Sequence, residues 1–342
     1  MKHPAWLSRP LKGQTVECLA CSHYCKIPPG KTGICGVRYN DNGQLQLLVY
    51  GRPGAINTDP IEKKPLFHFD PGSQIFSIGT VGCNFSCLFC QNWELSQGNK
   101  GQPKETVEAS GIALSPKEAV DYCLNNKIPA IAFTYNEPAI FFEYAFDTAK
   151  LAKEHGLKTV YVSNGFESEE ALDKMTPWID AINIDLKGPK GFYHTICGGR
   201  IEPIQKNIER LWKDGMWVEV TTLLIPGHND SDEELKAIAD FLVSISPDMP
   251  WHLSRYFPCY KMDAPPTPLA SLERAYGIGK KAGLKYVYVG NVQTDYEHTF
   301  CPKCHKKVIE RKDYLVHNHL RKDACPKCGE VIAGRFGNLL QD

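Results

Sequence analysis

From Gln74 onward the chain alternates short apolar, β-branched runs with longer amphipathic stretches, and turn-forming residues separate the two. The short runs predict strands at Gln74 to Ile78, Ala130 to Thr134, Thr159 to Ser163, Ala181 to Leu186, Trp217 to Leu224, Trp251 to Tyr256 and Lys285 to Val289. Helices are expected between them. Ser115-Pro116-Lys117-Glu118 has capping-box form with proline at the first helical position, and Ser231 to Glu234 repeats the box. Phe141 to His155 ends at Gly156 and Ile204 to Asp214 ends at Gly215, which suits left-handed C-terminal caps. Such alternation predicts an α/β fold, a parallel sheet covered by helices. Six consecutive strands are followed by polar or turn-forming residues, so these gather at the C-terminal rim, where barrel folds assemble their sites. They are the loop after Ile78, Tyr135 to Pro138, Ser163 to Phe166, Asp185 to Gly188, Ile225 to Asp230 and Ser254 to Pro258. Upstream, Gln44 to Tyr50 reads as a strand. Asp59 to Ser73 reads as a solvated loop that, as a hypothesis, lies beside the barrel mouth and helps shape the site.

Composition narrows the function classes. A chain of 342 residues with 42% hydrophobic content can bury a barrel-sized core and carry small appendages. Lys+Arg and Asp+Glu both number 39, which gives no global electrostatic case for nucleic acid or an anionic membrane. The stretch Met1 to Trp6 lacks a signal-peptide core and no apolar run approaches bilayer length, so a cytoplasmic enzyme is expected. Fourteen cysteines, mostly at short spacings, point to metal rather than disulfides.

Those cysteines form three groups. Cys83, Cys87 and Cys90 follow a C-x3-C-x2-C pattern with the aromatic Phe89 before the last. Three thiolates so close can hold three irons of a [4Fe-4S] cube, leaving one iron open to a small molecule; a zinc loop completed from a distance is the plainer alternative. Cys18, Cys21, Cys25 and Cys35 crowd a segment poor in apolar residues, which suggests a metal-nucleated knuckle, with zinc preferred over an auxiliary iron–sulfur cluster. Cys301-x2-Cys304 and Cys325-x2-Cys328 are paired knuckles with zinc-ribbon spacing, in which His305, His317 and His319 are bystanders. Cys123 reads as a core residue; Cys197 and Cys259, in loops after strands, read as ordinary loop cysteines, with a place near the site as hydrogen-atom donors the alternative.

The pattern Cys83, Cys87, Phe89, Cys90 resembles the cluster loop of the radical S-adenosylmethionine (SAM) enzymes. The resemblance implies a partial (β/α)6 barrel and an open iron chelated by the methionine end of SAM. It further implies one-electron cleavage of SAM to methionine and a 5'-deoxyadenosyl radical, with a reducing donor such as flavodoxin or ferredoxin. Asn136-Glu137-Pro138 resembles the family's Gly-Gly-Glu-Pro motif, implying that Asn136 and Glu137 meet the SAM amino group, although the sequence has Tyr135 and Asn136 where two glycines are common. A bare helix start is the alternative there. Ser163 and Asn164, at a strand end, would bond the ribose or simply make a turn. Asp185 and Lys187 point to one face at period two and resemble the pair near the SAM carboxylate in glycyl-radical activating enzymes; an ordinary ion pair is equally open. Pro226 lies in the turn that often backs adenine in the family.

Cys18 to Arg38, Asp59 to Leu66, the cluster loop, Thr134 to Pro138, Tyr288 to Asn291 and a terminal cysteine ribbon together resemble the AmmeMemoRadiSam radical SAM enzymes, relatives of pyruvate formate-lyase activating enzyme. That resemblance implies Memo-type and AMMECR-type partner proteins. The expected organisation is a cysteine knuckle over 1–40, a radical SAM barrel over 41–295 and a zinc ribbon over 296–342. Two function classes stand: an enzyme abstracting hydrogen from a protein or small molecule, glycyl-radical activation included, and a noncatalytic metal-binding adaptor or electron carrier. Polar groups on six strand ends favour the enzyme.

Overall fold

A computed structural model describes residues 3–312 and 314–337. Its centre is one eight-stranded sheet whose spatial order follows the chain. The strands are β1 (Ala55–Pro60), β2 (Gln74–Gly79), β3 (Ala130–Phe133), β4 (Lys158–Ser163), β5 (Ala181–Asp185), β6 (Trp217–Leu224), β7 (Trp251–Arg255) and β8 (Val287–Gly290). Strands β2 to β8 are parallel, and β1 is added antiparallel to β2. All seven sequence-predicted strands are present. The expected helices follow too: both capping boxes form, at Ser115 with Glu118 and at Ser231 with Glu234, and Gly156 and Gly215 take positive φ past helices Phe142–Glu154 and Ile201–Lys213.

The sheet extends beyond the six strands of the barrel that the resemblance implies and does not close; β1 and β8 are its edges. The eighth strand was hidden because Ala55-Ile-Asn-Thr-Asp-Pro is half polar and ends in proline, a composition that an edge strand tolerates. The 61–73 segment departs from expectation as well. It is largely buried, not solvated: Ile61, Leu66 and Phe69 pack with Ile75, Ala130, Ala132, Val160, Ala181 and Trp217, mostly at the N-terminal half of the strands, making a floor. Its charges are met inside the fold. Lys64 Nζ lies 2.8 Å from Asp59, Arg311 Nε lies 3.7 Å from Glu62, and the Phe67 and His68 amides donate to Glu219 at 2.9 and 2.8 Å.

The appendages grip this sheet differently. In the N-terminal segment Val16, Ala20, Ile27 and Val37 belong to the main core. The predicted strand there is shorter, Gln44–Leu47. Arg38 makes a buried bidentate pair with Glu143 of helix Phe142–Glu154, both bonds at 2.8 Å. At the other end Thr299–Phe300, Lys307–Lys312 and Leu315–Asn318 form a small antiparallel sheet, and Val308, Ile309 and Leu320 pack against Phe67, Tyr286 and Tyr288. Among the described residues no helix is long and apolar enough to cross a membrane.

Candidate active site

The loop after β2 carries Cys83 and Cys87, both buried, and Cys90, half-buried. Its path is fixed from several sides. Asn136 Nδ2 donates to the carbonyls of Thr80 and Gly82 at 2.8 and 2.7 Å, and the Ser86 and Leu88 amides donate to the Cys197 and Ile196 carbonyls at 2.8 and 3.0 Å. Lys100 Nζ donates to the Phe85 carbonyl at 2.7 Å. The Phe85 and Asn92 N–H groups face the sulfurs of Cys83 and Cys90, and Ser96 Oγ lies 3.2 Å from the Cys90 sulfur. Burial pushes the Cys83 thiol up. Three thiolates on one loop can each take an iron of one cluster. Two buried polar atoms of the loop and its neighbour, Asn84 Nδ2 and Asn136 Oδ1, have no partner among the described residues.

Glu137 is fully buried and its oxygens are engaged. They accept from Ala139 N–H at 3.0 Å and Asn164 N–H at 2.8 Å, and both lie 3.1 Å from Ser163 Oγ. Ser163 Oγ also donates to Glu167 at 2.6 Å and accepts from Gly165 N–H at 2.8 Å. Burial, reinforced by the neighbouring Glu167, holds Glu137 well above the usual carboxylate range. One hydroxyl hydrogen cannot serve two carboxylates. A protonated Glu137 donating to Ser163, which donates to Glu167, satisfies all three. Glu137 therefore shapes the turn of Ser163 and Asn164 and offers little to an outside amine. Asn164 Nδ2 in turn donates to Asn84 Oδ1 at 2.7 Å, and that oxygen lies 3.7 Å from the Cys83 sulfur.

Asp185 and Lys187 form an ion pair of 2.6 Å, and it stands beside the cysteine loop. Although burial acts to lower it, the Asp185 carboxylate and the Cys87 and Cys197 thiols hold Lys187 above its ordinary range. Its ammonium lies 5.9 Å from the ring of Phe89, which packs on Phe192. Asn229 ties the Pro226 turn to this strand end, donating to the carbonyl of Lys187 at 2.6 Å and accepting from Ile225 N–H at 2.7 Å. For Cys197 and Cys259 an ordinary loop role is the preferred sequence reading and a place near the site the alternative. The structure brings both to the site: Cys197 is buried against the Cys87 thiol, and Cys259 Sγ lies 3.6 Å from the Cys90 carbonyl. No local pattern marks either; only the fold places them.

A cavity of about 710 Å³ opens at the seam between β1 and β8. It runs from Gln91, next to Cys90, past Tyr135 and the Asp59–Lys64 pair to His252, Arg311 and Tyr314. Tyr135 takes a positive φ of 72°, and its hydroxyl donates to Asp59 at 3.0 Å. Sequence reasoning anticipated a part for the 59–73 segment here but missed His252, Arg311 and Tyr314, which come from distant segments. In the C-terminal sheet the sulfurs of Cys301, Cys304, Cys325 and Cys328 all lie within 4.8 Å of one another, as a tetrahedral ion requires.

The residues that fold and site bring together define a class. Residues 77–242 match the Radical SAM superfamily, and the chain belongs to it. A [4Fe-4S] cluster and SAM are the cofactors this family implies. The chain is 39% identical over 328 residues to the protein MJ0808 of Methanocaldococcus jannaschii, covering 94% of this chain and 96% of that one. It is 29% identical over 193 residues, 52% of this chain and 65% of the other, to a putative glycyl-radical enzyme activating enzyme, MJ1632, of the same organism. The fold is shared with Streptococcus suis SuiB bound to S-adenosylmethionine, at a TM-score of 0.50 and 14% identity over 68% of this chain and 53% of that one.

Proposed function

We propose that Cys83, Cys87 and Cys90 ligate the [4Fe-4S] cluster and that hydrogen abstraction takes place where this loop meets the seam cavity. The observation that carries the reading is the run of that cavity from Gln91, beside Cys90, down between the sheet edges. When bound, cluster and SAM supply a 5'-deoxyadenosyl radical, which takes a hydrogen atom from the substrate. The chain's own residues do the placing. Lys187 keeps a positive charge beside the Cys87 thiol and, with Asp185, offers a donor and an acceptor at the strand end for the polar end of SAM. Asn84 Nδ2 and Asn136 Oδ1, buried without a partner among the described residues, add a donor and an acceptor at the cysteine loop. Ser163 and Asn164, held in place by Glu137, are the ribose side, and the Pro226 turn is the adenine side. The cavity volume lies in the range that small molecules or a short protein segment fill.

The combination of N-terminal cysteines, 59–66 segment, cluster loop and cysteine ribbon supports an AmmeMemoRadiSam-type enzyme, oxidoreductase-like in its chemistry. Its partners on this reading are Memo-type and AMMECR-type proteins, and its electron donor is a flavodoxin or ferredoxin. The C-terminal four cysteines hold zinc. On the same reading 1–40, 41–295 and 296–342 are the functional units, and the enzyme works in the cytoplasm. Likeness to a putative glycyl-radical enzyme activating enzyme favours a second reading, in which the substrate is a protein backbone glycine. The test is 5'-deoxyadenosine formation by anaerobically reconstituted protein with SAM and a strong reductant, beside Cys87→Ala. Formation by wild type alone is expected; equal formation by both would remove the assignment. A glycine-centred radical signal on an added partner would select the second reading.

A further inference from the structure

The segment after β1 brings one lysine into the interior. The short 3-10 turn Ile61–Lys63 ends at Lys64, whose N–H donates to the Ile61 carbonyl at 2.9 Å. Among the described residues Lys64 is the one buried lysine, 3% exposed, whereas the side chain of its neighbour Lys63 is 45% exposed. Taking an ammonium out of water is costly, and an apolar residue of similar volume often serves packing as well or better. Packing alone is a weak account of this residue.

Its surroundings are those of a reactive amine. One oxygen of Asp59 lies 2.8 Å from Lys64 Nζ and 3.0 Å from the Tyr135 hydroxyl, and the other lies 3.4 Å from Lys63 Nζ. Two ammonium groups thus share one carboxylate, and the buried one also faces the Tyr135 ring, 5.0 Å from its centroid. Burial, with a smaller push from Lys63, draws Lys64 below its ordinary range, against Asp59, which acts to raise it. Burial and a second cation are the means by which proteins make a lysine nucleophilic. Asp59 is placed to take the proton that such a lysine must give up.

Lys64, Asp59, Lys63 and Tyr135 all line the cavity of about 710 Å³ at the seam, together with Gln91, next to Cys90. We infer that Lys64 forms a Schiff base with an aldehyde or ketone bound in this cavity. Asp59 takes one proton from the ammonium, and the freed Nζ adds to the carbonyl carbon, so that a C–N bond forms as the C=O double bond opens. A second proton passes from nitrogen to that oxygen, Asp59 returns the first, and the oxygen leaves as water. One ammonium and one carbonyl give one iminium and one water. The positive charge beside Asp59 is the same before and after, and no oxidant or reductant is consumed. The amine chemistry stands apart from the cluster; its use alone rests on the reading of the Cys83 loop given above. An imine at Lys64 holds the neighbouring C–H of the substrate in the cavity where hydrogen is taken, and a carbon radical formed there is delocalised over the C=N bond.

Sodium cyanoborohydride reduces an imine to a stable amine and so fixes it for peptide mapping. The reconstituted full chain, without SAM, is given limiting formaldehyde, the smallest carbonyl compound, or pyruvate, and labelling of individual lysines is followed by mass spectrometry. Lys64 is expected to be labelled about tenfold or more faster than Lys117 and Lys190, whose side chains are 76% and 81% exposed, because each unit by which a pKa falls multiplies the free amine about tenfold. Lys64→Arg, which keeps a charge beside Asp59, is expected to lose this label and keep those on the surface. Labelling of wild-type Lys64 no faster than Lys117 and Lys190 with both compounds would overturn the inference, whether or not the arginine variant folds. The outcome is separable from 5'-deoxyadenosine formation. A label at Lys64 in a chain that does not cleave SAM would leave the Schiff base and remove its use in hydrogen abstraction; SAM cleavage with Lys64 unlabelled would do the reverse.

Discussion

Glu137 shows how a motif residue can serve a site without facing its ligand. Its carboxyl group holds the Ala139 and Asn164 amides and the Ser163 hydroxyl, and is closed to solvent. Glu137→Ala would strand two buried N–H donors at about 1–3 kcal/mol each. It is therefore expected to lower the urea midpoint as well as SAM affinity, and Glu137→Gln, which keeps an acceptor, to lose less of both. Weakened SAM binding at wild-type stability would restore a direct contact. Gly82 is constrained on two counts: it takes a φ of 92°, and a Cβ would collide with the Cys35 carbonyl. Gly82→Ala is expected to lose roughly 1–2 kcal/mol from the left-handed backbone alone, and more as the two cysteine segments are forced apart. Calorimetry and iron content would both fall. The cluster cysteines were legible because their spacing is local. Cys197, Lys100 and Arg311 were not, since each acts through a partner far away in sequence, and no single-chain pattern encodes that distance.

At the level of elements, the parallel strands and their caps were readable because each is built from its own residues. The 61–73 segment was misread for the opposite reason: its charges look solvated until Asp59, Glu219 and Arg311 are placed around them. Within that segment His68 joins the floor to the C-terminal sheet. Its Nδ1–H donates to the Ala333 carbonyl at 2.6 Å and its Nε2 accepts from the Tyr288 hydroxyl at 2.5 Å. Burial lowers His68 to about 4. The unfolded chain takes up this proton below about 6.5, whereas the folded chain resists it until about 4. Stability from this residue is thus complete above pH 6.5 and lost as pH falls toward 4, by on the order of 3 kcal/mol at most. Denaturant midpoints across this window should drop less steeply in His68→Gln. Equal slopes would show that other groups govern the acid limb.

For the whole molecule, the open seam makes the C-terminal sheet a structural wall of the cavity. Arg311, 2% exposed, donates to the carbonyls of Phe67 and Glu297 and to Thr299, so its guanidinium adds polar ties to the sheet's apolar hold on the floor. Removing the proposed zinc by chelation, or by Cys301→Ala, is expected to lower Tm by a few degrees and expose the 61–73 segment to protease, while absorbance of the cluster at Cys83 stays. Loss of that absorbance would mean that the two ends are not separable.

The same wall imposes an order on biosynthesis. The cysteine loop leaves the ribosome long before Arg311 and Tyr314, which finish the cavity. A nascent chain can therefore hold the radical-forming loop while the pocket that would confine a radical is still missing. Cofactor loading only after release would protect such a chain from its own chemistry.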